Sequence, residues 1–376
     1  MYVPQMQLKN IKKYMVPQKV FIVYGPRRCG KTTLLEHMLE GVKEEYLFVS
    51  GEDITVQNYL SSQSIEKLKS FIGKRKLLVI DEAQKIKNIG LNLKLIVDHI
   101  DGIKVVASGS SSFDLAKQIG EPLTGRKFTI KMFPLSQMEL NGIQTRAETD
   151  AFLEQRLIYG AYPEIVLNKD DSQKVLYLRE IVNSYLYKDI LELDGVRHSD
   201  KIVRLLQLLA FQVGKEVSFN ELGTQLGMSK NTVERYLDLL TKAFVIFKLS
   251  GFSRNLRKEI TKNSKYYFYD VGIRNALINN FNPMSIRDDV GMLWENYIIV
   301  EKIKKQEYLS IPSNNYFWRT YDRKEIDFIE EYGGRLFGYE IKWQKKKEKI
   351  PKEWFEVYKN AEGAVITKDN YLDFIT

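Results

Sequence analysis

Residues 25 to 32 read Gly-Pro-Arg-Arg-Cys-Gly-Lys-Thr, and this octapeptide restricts what the chain can fold into more than any other segment. The apolar run Val20-Phe21-Ile22-Val23-Tyr24 leads in, and a helical pattern from Thr32 to Leu39 leads out. A G-x-x-x-x-G-K-[ST] turn between a strand and a helix is a phosphate-binding loop. Gly25 and Gly30 let the backbone bend until its N–H groups converge on an anion, and the new helix adds its positive end. Pro26, Arg27, Arg28 and Cys29 fill the loop, and Thr33 follows it. Lys31 is expected to reach the β- and γ-phosphates of a nucleotide, and Thr32 to offer its hydroxyl to Mg²⁺.

Such a loop needs a second strand carrying acids. Lys76-Leu77-Leu78-Val79-Ile80-Asp81-Glu82 is an unbroken apolar run ending in two carboxylates. Unbroken apolar runs are strands covered on both faces of a parallel sheet, and ligands gather at their carboxyl ends. Asp81 is therefore read as the Mg²⁺-holding acid and Glu82 as the group that orients or deprotonates the attacking water. A third strand, 103–107, ends in Ser108-Gly109-Ser110-Ser111. Ser108 at its tip is the first choice to sense the γ-phosphate or the water, with Ser110 second. In Leu123-Thr124-Gly125-Arg126, Arg126 is read either as an arginine finger, in cis or in trans, or as one half of a structural ion pair.

The first 150 residues alternate strands and helices, as expected of a parallel sheet wrapped by helices. The segment Gln7-Leu8-Lys9-Asn10-Ile11 is expected to lead into this domain and pack on it. With 376 residues, the chain has room for several cores. Its single cysteine excludes an internal disulfide, and three scattered histidines suggest no zinc site. No apolar stretch approaches 20 residues and no signal peptide is visible, so the expected location is the cytoplasm, away from membranes. A net charge of +9 is compatible with a polyanionic partner.

Residues 151–204 read as a helical lid over the nucleotide, containing Gly160-Ala161-Tyr162-Pro163-Glu164 and 185–190. Residues 205–270 carry a helix-turn-helix pattern. Ser218 and Glu221 form a capping box, Gly227 ends that helix, and Ser229 caps the next. Val233, Leu237 and Leu240 make the buried stripe of the second helix, while Lys230, Asn231 and Arg235 face out with Glu234 and Asp238. Runs at 244–249 and 265–269 read as strands of a wing. Between them Arg254, Arg257, Lys258, Lys262 and Lys265 oppose only Glu259, a surface suited to phosphates. Either this winged helix contacts duplex DNA or it packs against protein.

Residues 271–376 hold a second candidate site. Asp327 lies on one strand, and Glu340-Ile341-Lys342 lies on the next after a turn at Gly333-Gly334. The period of two puts Glu340 and Lys342 on one face. This is the layout of a one- or two-metal phosphodiesterase, with Asp327 and Glu340 on Mg²⁺, Lys342 on the water or the developing charge, and Glu295 joining from a preceding helix.

Taken with the phosphate loop, Asp-Glu-Ala-Gln-Lys, Leu-Thr-Gly-Arg with Phe133-Pro134-Leu135-Ser136, and Tyr162-Pro163-Glu164, the chain resembles bacterial and archaeal AAA-type ATPases. These are the archaeal-type ATPases related to the signalling NTPases with numerous domains. The second position of the lid motif, usually glycine in that family, is Ala161 here. The resemblance implies an α/β protein in four parts: a P-loop ATPase core with a parallel sheet (1–150), a helical lid (151–204), a winged helix (205–270) and a mixed α/β, restriction-endonuclease-like domain (271–376). It implies an ATPase using ATP and Mg²⁺ as a molecular switch, acting on or with DNA. The alternative is a slow signalling NTPase whose degenerate nuclease-like tail binds a protein partner. A trans arginine donor requires a homo-oligomer.

Overall fold

The computed structural model describes residues 2–110, 123–186, 199–253, 264–320, 324–344 and 349–376, with only the backbone of 184–186 and 199. The expected lid residues 187–190 lie outside these ranges. The chain divides into two compact units, residues 1–135 with 242–244, and residues 136–241 with 245–376.

The first unit is built on five strands, β1 (Val20–Tyr24), β2 (Tyr46–Ser50), β3 (Leu77–Asp81), β4 (Lys104–Gly109) and β5 (Lys127–Lys131), in the spatial order β2-β3-β4-β1-β5. All neighbours run parallel. β1 and β3 are buried along their whole length, which is why their sequences do not alternate. The edge strand β2 alternates between exposed and half-buried positions. The helix Lys31–Leu39 presses Leu34, Leu35 and Met38 onto Phe21, Val23, Leu77 and Val79. The short helix Gln7–Tyr14 adds Ile11, fully buried, to the same core, as its sequence led us to expect.

The second unit contains a mixed sheet of seven strands: β6 (Glu216–Val217), β7 (Ile246–Gly251), β8 (Ser264–Phe268), β9 (Asn314–Arg319), β10 (Glu325–Tyr332), β11 (Arg335–Ile341) and β12 (Ala361–Ile366). Their order is β12-β11-β10-β9-β7-β8-β6. The helices Phe219–Leu226 and Lys230–Lys242 precede β7. Ser218 accepts from the Glu221 backbone N–H at 3.4 Å, and Gly227 closes the first of these helices in a left-handed conformation. β7 pairs antiparallel with β8 and parallel with β9, so one sheet runs from the hairpin into the C-terminal strands. Segments expected as lid, winged helix and C-terminal domain therefore lie in one compact unit. Asp270 ties them together locally. Its buried carboxylate caps the helix Val271–Leu277 and accepts the Ala161 backbone N–H at 2.8 Å. Burial pushes this carboxyl above its ordinary value, and the three backbone N–H groups that it accepts oppose the shift.

Candidate functional site

Because the first sheet is parallel, the carboxyl ends of β1, β3 and β4 meet at one edge, and the expected residues gather there. Gly30 adopts φ +94° where the loop turns into its helix. Gly25 approaches the Met132 carbonyl so closely that a β-carbon would lie 2.6 Å from it. Gln5, which sequence reasoning did not single out, donates to the Cys29 carbonyl at 3.2 Å and braces the loop from behind. Cys29 is buried. Lys31 is 5% exposed, and its ammonium donates to the carbonyls of Gly25 (3.1 Å) and Pro26 (2.8 Å). Among the described residues no carboxylate pairs with it, so its charge remains available to an anion. Thr32 and Thr33 are exposed at the mouth, as is Arg28, while Pro26 is buried and Arg27 half-buried.

The Thr32 hydroxyl donates to Asp81 Oδ2 at 2.6 Å, which puts a neutral and an anionic oxygen side by side at the loop. That pairing of hard oxygen donors suits a divalent cation. Behind it, the fully buried Ser108 hydroxyl donates to Asp81 Oδ1, and the Glu82 backbone N–H donates to both Asp81 Oδ1 (3.1 Å) and Ser108 Oγ (3.3 Å). Ser108 thus orients the acid rather than facing the mouth. Glu82 follows in a left-handed conformation, φ +49°. Gln84 donates to its carboxylate and, at 2.9 Å, to Ser110 Oγ.

Arg126 is not brought to this edge. Its carbonyl accepts from the N–H of Val20, the first residue of β1, so it sits at the opposite end of the sheet. There its guanidinium pairs with Asp98 at 2.7 Å. Five residues of β1 at about 3.3 Å each separate it from the loop, which rules out a finger acting in cis; the contact with Asp98 matches the structural ion pair, and the trans finger is not tested by a single chain.

The second candidate site is assembled too, with corrections. Asp327 and Glu340 face Lys342, which contacts them at 3.0 and 2.7 Å. Lys342 lies one residue past β11. A bulge between Ile326 and Ile329 of β10 breaks the pairing with β9 at Asp327, and Asp327 Oδ2 accepts the Ile341 N–H at 2.8 Å. Burial alone would lower the pKa of Lys342, but Asp327 and Glu340 hold it above its ordinary range. Glu295 arrives from the helix Val290–Tyr308 and accepts the Tyr267 hydroxyl at 2.7 Å. Burial, then the Asp327 charge, push its carboxyl up to about 7, against Lys265, Tyr267 and Lys342. Lys265 was read as part of the phosphate-contacting surface. It is instead 2% exposed, inserted between Glu325 and Glu295. Among the described residues no three carboxylate, imidazole or thiol groups converge to hold a metal ion.

On the helix Lys230–Lys242, Lys230, Asn231, Glu234, Arg235 and Asp238 are exposed, and Val233, Leu237 and Leu240 are buried. Arg254, Arg257, Lys258 and Lys262 lie outside the described residues.

Residues 17–141 match a family model described as an AAA domain. Residues 150–284 and 290–373 match two models described as domains of unknown function, DUF8612 and DUF4143. The AAA match and the parallel sheet with its loop support a P-loop ATPase of the AAA type, and thereby nucleotide binding. An uncharacterised protein of Mycobacterium tuberculosis is 26% identical over 327 residues, which cover 86% of this chain and 70% of its own. One of Methanocaldococcus jannaschii is 25% identical over 340 residues, covering 85% and 74%. Among solved structures, a RuvB variant from Thermotoga maritima superposes with a TM-score of 0.34 at 17% identity, covering 65% of this chain and 86% of its own. A signal transduction ATPase with numerous domains, bearing a tetratricopeptide repeat sensor, from Pyrococcus horikoshii gives 0.31 at 14% identity, covering 81% and 46%. No helix among the described residues is long and apolar enough to cross a membrane.

Proposed function

We propose that the chain is an ATP-hydrolysing switch whose chemistry takes place at residues 25–32 with Asp81 and Glu82. The observation that carries this reading is the convergence of Lys31, Thr32, Asp81 and Glu82 at one sheet edge, with Thr32 Oγ1 2.6 Å from Asp81. The loop N–H groups bind the phosphates, and Lys31 exchanges its two carbonyl partners for phosphate oxygens. Thr32 and Asp81 hold Mg²⁺, with Ser108 fixing the orientation of Asp81. When bound, Mg²⁺ neutralises charge on the phosphate oxygens. Glu82 accepts the proton of the water that attacks the γ-phosphorus. Steady-state ATP hydrolysis is the test. Glu82→Gln is expected to keep nucleotide binding and lose turnover, and full activity in that variant would overturn the assignment.

For the second unit we propose a binding role toward duplex DNA. It is supported by the exposed Lys230, Asn231 and Arg235 on the helix that lies in sequence between β6 and the β7-β8 hairpin, an arrangement consistent with a winged helix. Lys342 bridging Asp327 and Glu340 favours a nuclease-like tail that binds rather than cuts. Absence of Mg²⁺- or Mn²⁺-dependent cleavage, together with salt-sensitive DNA binding, is the expected result. Binding that ignores salt would favour a protein partner and the signalling-NTPase alternative.

A further inference from the structure

We infer that Gln84 is a water-positioning residue for ATP hydrolysis, an inference that rests on the reading of Glu82 as the base. Gln84 sits in the single turn Ala83–Lys85 that follows the carboxyl end of β3. Its amide nitrogen has two N–H groups, and both are used: one donates to Glu82 Oε2 and the other to Ser110 Oγ at 2.9 Å. A carboxylate only accepts, so the nitrogen must face Glu82 and the orientation of the amide is fixed. Its other atom, Oε1, is buried and, among the described residues, receives no hydrogen bond. A buried acceptor without a donor is destabilising by roughly 1–3 kcal/mol, so it is the natural place for a water to donate.

The two anchors tie that acceptor to the catalytic carboxylate on one side and to the tip of β4 on the other. A single water then donates one hydrogen to Gln84 Oε1 and the other to Glu82. As its oxygen bonds to the γ-phosphorus, the bond from phosphorus to the bridging oxygen breaks. The electron pair leaves with ADP, and the water's second proton passes to Glu82. Gln84 exchanges no proton. Its contribution is orientation, of the water and of the base together.

The test is turnover and nucleotide affinity in Gln84→Ala and in the near-isosteric Gln84→Met, which keeps the packing should the alanine variant fold poorly. Affinity is read by titration with a fluorescent N-methylanthraniloyl ATP. Turnover is expected to fall about 10- to 100-fold with affinity unchanged. In a Glu82→Gln background, Gln84→Met is expected to add almost nothing, because both residues act on one water. Wild-type or faster turnover in both Gln84 variants, or a loss that multiplies fully with that of Glu82→Gln, would overturn the inference. If Glu82→Gln itself turns over normally, the reading of Glu82 falls first, and the two failures are thereby told apart.

Discussion

The two clusters of acids and lysines in this chain use the same residue types to opposite ends. At the phosphate loop, Lys31 rests on two carbonyls, and the carboxylates of Asp81 and Glu82 are held by hydroxyls and amides. Charge there is positioned but not cancelled. In the second unit, Lys342 lies on Asp327 and Glu340, and Lys265 on Glu295 and Glu325. There each lysine charge is matched by carboxylates of the protein itself. A lysine held by neutral acceptors can be recruited by a ligand; a lysine held by carboxylates must first be pulled from them. This difference is the reason for proposing catalysis at the first cluster and structure and binding at the second.

The comparison breaks first at the loop. Lys31→Ala is expected to weaken ATP by about 100-fold or more, since charge-assisted bonds to phosphate are lost. Glu82→Gln should lower turnover by about 10²- to 10⁴-fold at unchanged affinity. A retained Kd in the first variant, measured by equilibrium titration, would mean that the loop is as self-neutralised as the C-terminal cluster.

The opposite outcome is expected of Lys265→Ala. It leaves Glu295 and the half-buried Glu325 without their shared cation, and should destabilise the second unit by about 1–3 kcal/mol in denaturant unfolding. Adding Glu325→Gln should recover part of that loss. A neutral effect of Lys265→Ala would show that water reaches the cluster freely.

A smaller effect concerns pH. Glu295 titrates near 7 in the fold against an ordinary value of 4.5, so the folded protein keeps a proton that the unfolded chain releases. The resulting stability is complete below about 4.5 and is lost as pH rises to about 7, by up to about 3 kcal/mol. Glu295→Gln, a permanent stand-in for the protonated carboxyl, should flatten that part of the stability profile. The smallest expected change is in DNA binding. Arg235→Ala should reduce the slope of log affinity against log salt by about 0.9, one phosphate contact.

Much of the first unit could be read from the chain alone, because its information is local. The strand–loop–helix around Lys31 and the acids ending β3 are contiguous motifs whose geometry follows from the parallel sheet. Arg126 was ambiguous for the converse reason: only the register of β5 against β1 shows which end of the sheet it occupies. Gln84 was merely a letter between Glu82 and Lys85 until the turn folded its amide back onto Glu82. Lys265 was misleading because it closes a run of cations that looks like a solvated surface. The usable signal was the period of two in β8, which puts Lys265 on the face of Tyr267, beneath Glu295. The Asp327–Glu340–Lys342 constellation was visible as spacing. Spacing put Lys342 beside Glu340 but gave no hint that it would also bridge to Asp327.

The unbroken sheet from β6 to β12 bears on how this protein can be divided. The boundary between the two C-terminal family matches, 284 to 290, falls between β8 and β9 in sequence, yet β7 and β9 are direct neighbours in space. A chain ended at residue 284 would keep β8 beside β7 but remove β9, baring that edge of β7 as a template for self-association. The piece from 290 onward would carry the matching edge on β9. The two halves would then recombine with each other, or each with itself, before behaving as independent soluble domains.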